Sequence, residues 1–237
     1  MAASTKIEWT EMTWNPVTGC SKISAGCANC YAERMAHRLH AMGNVRYRNK
    51  FSPTVHRDLF NEPLKWKSSK LVFVCSMSDL FHEEVDTQDI MSLFEVMNMA
   101  SKHTFQVLTK RSNRMLELAP KLKWTDNIWA GVTVENQDTV TRIDDLRNIP
   151  ASIRFVSFEP LLGPIADIKL EGIDWAIVGG ESGPKARSMD ESWVRDIKAA
   201  CEKQQVSFFF KQWGGVNKKK NGRELDNTTW DDYPVNY

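Results

Sequence analysis

The chain has 237 residues, 42% of them hydrophobic and 26% charged, and a formal net charge of +1. That balance fits one ordinary soluble globular domain and leaves no overall charge excess that would mark a nucleic-acid binder. No apolar run reaches membrane-spanning length, and Met1-Ala2-Ala3-Ser4-Thr5-Lys6-Ile7-Glu8-Trp9 has no apolar core for a signal peptide, so a cytoplasmic protein with reduced cysteines and no membrane partner is expected.

Along the chain, short apolar runs alternate with helical stretches, and nearly every run ends in polar residues. Thr13–Val17 is the first strand candidate, followed by a cysteine-bearing loop at 19–31 and a helix over Tyr31–Met42. A long segment, 43–69, precedes the buried strand Leu71–Cys75, which ends in Ser76-Met77-Ser78-Asp79 before a helix over Thr87–Ala100. Phe105–Leu108 ends in Thr109-Lys110-Arg111, with a short helix over Ser112–Leu118. Ile128–Val132 ends in Thr133-Val134-Glu135, with a helix over Gln137–Arg147; Arg154–Phe158 ends in Glu159-Pro160, before a short crossing segment at Ile165–Leu170. Trp175–Val178 ends in Gly179-Gly180-Glu181-Ser182-Gly183, and the helix Glu191–Gln204 leads to Ser207–Phe210 and Lys211-Gln212-Trp213.

Continuous apolar strands alternating with helices predict a parallel sheet with right-handed crossovers. The fold class expected is α/β, a partial or near-complete (β/α) barrel of six to seven parallel strands, with a doubly wound sheet as the alternative. Polar residues at the strands' C-terminal ends are where such a barrel carries its chemistry. The domain reading is a single barrel over 1–213, with 43–69 as an inserted basic segment and 214–237 as a mobile C-terminal extension.

Charge is unevenly spread. Between Arg34 and Lys70 lie nine Lys or Arg against Asp58 and Glu62, with Tyr47, Phe51 and Trp66 among them. Basic residues interleaved with aromatics can track phosphates and stack bases, so a nucleic-acid partner is one reading and a solvated basic face the other. Trp66 and Trp213, beside lysines, are candidates for ligand stacking.

Cys20, Cys27 and Cys30 fall within eleven residues, as C-x6-C-x2-C. In a reducing compartment such a cluster points to metal binding rather than disulfides. Three thiolates suit an iron–sulfur cluster with one open iron, or zinc with a fourth ligand from His37, Cys75 or elsewhere.

With these residues in view, Cys27-Ala28-Asn29-Cys30-Tyr31, after a first strand, resembles the loop of the radical S-adenosylmethionine superfamily. Over most of its length the chain more closely resembles the phage-associated three-cysteine-motif family, through Thr13-Trp14-Asn15-Pro16-Val17-Thr18-Gly19-Cys20, Gly26–Glu33, Val178–Gly183 and Phe209–Gly214. It departs from the superfamily pattern in two places. Six residues rather than three separate the first two cysteines, and Gly179-Gly180-Glu181 stands four strands later than the superfamily's Gly-Gly-Glu.

The resemblance implies a four-iron four-sulfur cluster on Cys20, Cys27 and Cys30, reductive cleavage of S-adenosylmethionine to start radical chemistry, an electron donor as partner, and the cytoplasm of a bacterial or phage-infected cell. For the cofactor, Ser76, Ser78 and Asp79 would receive the amine, Lys110 and Arg111 the carboxylate, and Glu135 or Glu159 the ribose. Tyr31 would lie near the adenine, and Gly180 and Glu181 would form a backbone cradle. Cys75 is a candidate hydrogen-atom donor or else a buried small hydrophobe. The expected substrate is a nucleic acid or nucleotide. The alternatives are a peptide or small molecule, or a zinc-stabilised binding module without catalysis.

Overall fold

The structure, a computed structural model, describes residues 2–234. Its main sheet contains β1 (Ala2–Ser4), β2 (Met12–Trp14), β5 (Leu71–Val74), β6 (Thr104–Thr109), β7 (Ile128–Thr133), β8 (Arg154–Phe158), β9 (Trp175–Gly179) and β10 (Ser207–Gln212), ordered β1-β2-β5-β6-β7-β8-β9-β10. A separate pair joins β3 (Val17–Thr18) to β4 (Thr54–Val55). β2 pairs parallel with β5, β5 with β6, β8 with β9 and β9 with β10, while β1 runs antiparallel along β2.

From β2 onward, neighbours in the sheet follow one another in the chain. A doubly wound sheet reverses its order at a switch point, and this one does not. The singly wound order of seven strands is that of the expected α/β partial barrel, with β1 added as an antiparallel edge that the sequence pattern did not suggest.

The helices are α1 (Tyr31–Ala41), α2 (Thr87–Met99), α3 (Ser112–Leu118), α4 (Arg142–Arg147), α5 (Glu191–Gln204) and the one-turn α6 (Lys218–Asn221). Their starts are set locally: the Asp86 side chain accepts from the Gln88 N–H before α2, and Asp190 from the Ser192 N–H before α5. Two expectations are corrected. The first strand is cut by Asn15-Pro16, because proline has no N–H for a ladder, so the chain leaves β2 and pairs elsewhere as β3. The helix expected over Gln137–Arg147 is a 3-10 turn at Gln137–Thr139, closed by the Asn136–Thr139 capping box, followed by the short α4. Ile165–Leu170 carries no regular structure.

The chain forms two compact units. The first comprises Met1–Ile23, Cys30–Ala130 and Ile149–Ser152, and the second Ser24–Asn29, Gly131–Asn148 and Ile153–Tyr237. Within the first, Trp14 packs against Phe105 at 5.9 Å between ring centroids, and α1 lays Ala32, Met35, Ala36 and Leu39 against Tyr47, Phe51 and Met77. Within the second, Trp175 on β9 meets Phe155, Phe209 and Tyr233.

The described part of the tail is not the free extension expected of 214–237. The Phe210 N–H donates to the Trp230 carbonyl, the Asp232 N–H to Phe208, and the Trp175 indole to Asp232. The tail thereby covers the open edge of β10, where unpaired backbone groups would otherwise face solvent. Trp213, a stacking candidate by sequence, packs edge-on to Phe210 and donates to Glu224, and Trp66 lies edge-on to His103.

Gly19 seats the start of the cysteine loop. Its φ is +82°, and a β-carbon there would stand 2.3 Å from the Ser52 carbonyl oxygen. Its N–H donates to Met77, and its carbonyl accepts from Ser78. Gly19→Ala should therefore lower unfolding free energy by at least about 2 kcal/mol, through left-handed strain and backbone overlap together. Urea denaturation of the two proteins checks this, and an unchanged midpoint would refute the close approach.

Candidate functional site

Cys20 and Cys30 belong to the first unit and Cys27 to the second. In the first unit, Cys20 follows Gly19 and its N–H donates to the Phe51 carbonyl. Arg111, at the end of β6 and 3% exposed, faces it. The guanidinium donates from Nη1 to Cys20 Sγ at 3.5 Å and to Asp79 Oδ2 at 3.3 Å. Nη2 donates to the Ser21 carbonyl and to Ser21 Oγ, and Nε lies 2.9 Å from both Glu83 carboxylate oxygens. Burial opposes the Arg111 charge, but Asp79 and then Cys20 outweigh it, and the group is held above its ordinary range.

Asp79, also buried, accepts from Thr109 Oγ1 at 2.7 Å and from the N–H groups of Phe81 and Lys110. His82, which the sequence reading passed over, completes the group with Nε2 2.8 Å from Ser21 Oγ. The Glu84 N–H donates to its Nδ1, which places the ring proton on Nε2. Burial first, and the Arg111 charge second, hold His82 below its usual range, in keeping with a neutral ring.

In the second unit, the segment 24–29 is gripped from the ends of β7 and β9. Glu135, fully buried, accepts from Ser24 Oγ at 2.5 Å and from Arg142 Nη1 at 2.9 Å. A side chain on Gly26 would run into the same carboxylate, with its β-carbon 2.5 Å from Glu135 Oε1. Glu181 accepts from the Asn29 amide at 2.9 Å and, through both oxygens, from Arg187, whose Nη2 also donates to the Ala25 carbonyl. Together the Glu181–Arg187 pair fixes residues on either side of Cys27. Burial would raise the Glu181 pKa, but hydrogen bonds from Arg187 and Asn29 prevail and bring it from 4.5 to about 2.

Several strand-end residues expected to receive a cofactor are thus bonded to this chain's own loops. Arg111, assigned by resemblance to a carboxylate, directs all five guanidinium N–H groups at protein acceptors. Ser78 Oγ donates to Gly19 O and Ser76 Oγ to Asn15. Glu159 pairs with Lys211 at 2.9 Å and accepts from Ser157. Gly180 lets two backbone segments meet, since a β-carbon there would overlap the Trp213 carbonyl at 2.1 Å. Lys110 is part-exposed, and Tyr31, at the start of α1, is 60% exposed. Cys75 is enclosed within the first unit at φ +61°, and burial pushes its thiol up to about 12, which keeps it as S–H. Cys201 is likewise buried.

All three loop cysteines are outside any disulfide and part-exposed, the soft, reachable donors that an iron–sulfur cluster takes. Their chemistry fits that group. Among the described residues, no three His, Cys, Asp or Glu side chains gather closely enough to hold one metal ion. A four-iron cluster takes one thiolate per iron and spreads its ligands more widely than a single ion does.

The basic stretch separates into two sets. Arg46 is paired with Asp58 and Arg57 with Asp89, both through two hydrogen bonds, while Tyr47 is buried and Phe51 packs beside it. His56 is buried on Thr18. Arg38, Arg48, Lys50, Lys65 and Lys67 stand exposed, with Met42 and Val45 between them in the chain. No helix is long and apolar enough to cross a membrane.

Among solved structures, the chain is similar to a cysteine-to-alanine mutant of spore photoproduct lyase with dinucleoside spore photoproduct: 13% identity, TM-score 0.51, covering 92% of this chain and 69% of that one. A double mutant of the same lyase, with bound AdoMet and dinucleoside spore photoproduct, gives 12% identity, TM-score 0.52 and the same coverage. At these identities the likeness is one of fold, and it is the α/β fold that the strand order describes. The family described as "Protein of unknown function (DUF5131)" matches residues 4–234. No curated protein matches the chain.

The Glu181 pKa generates a pH signature. A carboxylate whose folded pKa is depressed adds stability that is fully present above about 4.5 and is lost as pH falls toward about 2. Glu181→Gln should therefore cost on the order of 2 kcal/mol at pH 7, allowing for the part-exposed Arg187, and the gap should close between pH 4.5 and 2. Urea unfolding of both proteins across that range checks this. A gap independent of pH would show that the pair carries no charge energy.

Proposed function

We propose that this chain, which belongs to the DUF5131 family, is an enzyme of the radical S-adenosylmethionine type that acts on nucleic acid, in repair or modification. The observation that carries the reading is a C-x6-C-x2-C loop secured by charged residues at β-strand ends, in a chain with the fold of spore photoproduct lyase. One of the similar structures holds AdoMet, and both hold a dinucleoside photoproduct. That is the pairing of cofactor and substrate class proposed here.

Cys20, Cys27 and Cys30 would hold a four-iron four-sulfur cluster, which with S-adenosylmethionine supplies one-electron cleavage of the sulfonium and hydrogen abstraction from substrate. The chain's own residues bind and orient. Ser24 and Gly26 are seated on Glu135, and Ala25 and Asn29 on the Glu181–Arg187 pair, so Cys27 is presented from a fixed backbone. Lys110, part-exposed at the end of β6, is the cation proposed for the cofactor carboxylate, and the Ser76 and Ser78 hydroxyl oxygens are acceptors for its amine. The Cys75 thiol, protonated and enclosed, suits hydrogen-atom donation. Exposed Arg38, Arg48, Lys50, Lys65 and Lys67 form the phosphate-facing surface.

Anaerobic reconstitution should yield about four irons per chain and a brown chromophore, with 5′-deoxyadenosine formed on adding dithionite and S-adenosylmethionine. Cys27→Ala should lose all three. One tight zinc and no colour would overturn the reading in favour of a structural metal site.

The double reversal Arg48→Glu/Lys50→Glu should weaken single-stranded DNA binding at least about tenfold and flatten its salt dependence by one to two units of slope, about 0.7 for each lost phosphate contact. Fluorescence anisotropy from 50 to 200 mM salt reads both, and unchanged binding would remove this face from the substrate site.

A further inference from the structure

We infer that Arg111 is a positioning residue for the cluster side of the site, donating an N–H···S hydrogen bond to the Cys20 ligand rather than binding S-adenosylmethionine. This rests on the reading that Cys20 is a cluster ligand and adds to it a role for a cation in contact with that sulfur. The geometry is overdetermined. The guanidinium has five N–H groups and directs them at Glu83 from Nε, at Asp79 and Cys20 from Nη1, and at the carbonyl and hydroxyl of Ser21 from Nη2. No donor is left over for an outside carboxylate.

Each partner also fixes the ring of contacts. Asp79 is held by Thr109 and the Lys110 N–H, and Ser21 by His82. The fork can therefore neither swing toward a ligand nor drift from Cys20 without breaking several bonds at once. At 3% exposure, a charge-assisted bond to sulfur is little screened by water.

A hydrogen bond to a ligating sulfur stabilises the more negative, reduced cluster, and such bonds help to set cluster potentials. Losing it should make the cluster harder to reduce. The test is a redox titration, monitored by electron paramagnetic resonance, of reconstituted wild type, Arg111→Lys and Arg111→Gln, all without S-adenosylmethionine. A role confined to the cofactor carboxylate would not move that potential.

Lysine keeps the charge but loses the fork, and glutamine keeps a neutral donor. Both should shift the reduction equilibrium at least tenfold toward the oxidised cluster, 59 mV for one electron. A shift in Gln but not Lys would leave only a charge effect and overturn the hydrogen-bond role. No shift in either would overturn it outright. Thermal melts identify a variant that fails to fold; Lys, which preserves the pairing charge toward Asp79, then decides alone. A wild type that takes up no iron overturns the cluster reading itself, and the Arg111 role falls with it. That outcome is separate from an iron-loaded wild type with unshifted variants.

Discussion

Charged side chains at the ends of the parallel strands hold the cysteine loop, and the site depends on that arrangement. A carboxylate or guanidinium removed from water is tolerated only with hydrogen-bonded partners. Here those partners include the loop. Glu135 is buried against Ser24, Glu181 against Asn29, and Arg111 against Cys20 and Ser21. The dependence runs both ways. The loop takes its shape from the buried charges, and the charges are kept from being orphans by the loop.

This arrangement changes what polar strand ends mean. In a barrel-like sheet they are read as the groups that meet substrate. In this chain several of them are bonded to the loop instead, Arg111 to Cys20 and Ser21, Glu135 to Ser24 and Glu181 to Asn29. The same logic explains why small residues recur there. Gly19, Gly26 and Gly180 each stand where a β-carbon would overlap a carbonyl or carboxylate, so backbone and charged groups approach without an intervening side chain.

The repeated strand–helix pattern, the positions of β5 to β10, and the cysteine trio were legible in the sequence, because a buried parallel strand is a continuous apolar run and a helix such as α5 carries its own cap. What was not legible is pairing at a distance. Nothing local in Gly180-Glu181 tells that the carboxylate turns to Asn29, and Arg187 and Arg142 sit in stretches with no motif at all. His82 could have been noticed only as one more polar residue after β5. Tyr47 and Trp66, chosen for their basic neighbours, turned out to serve packing, since an aromatic ring among lysines has the same sequence appearance in either role. The edge strand β1 and the tail on β10 gave no signal, because their segments are short and pair through backbone groups, which every sequence has.

The separation between loop and partners also sets an order of events as the chain is made. The Cys20 end waits for Arg111, 91 residues further on, whereas Asn29 must wait 152 residues for Glu181 and Ala25 waits 162 for Arg187. Synthesis runs from the N-terminus, and long-range contacts form only after the intervening chain has emerged. A ribosome-bound nascent chain therefore gains the grip of Glu135 on Ser24, 111 residues away, before that of Glu181 on Asn29 and of Arg187 on Ala25. The backbone around Cys27 is thus fastened in stages, and a product truncated before Glu181 would keep the hold on Ser24 while lacking those on Asn29 and Ala25.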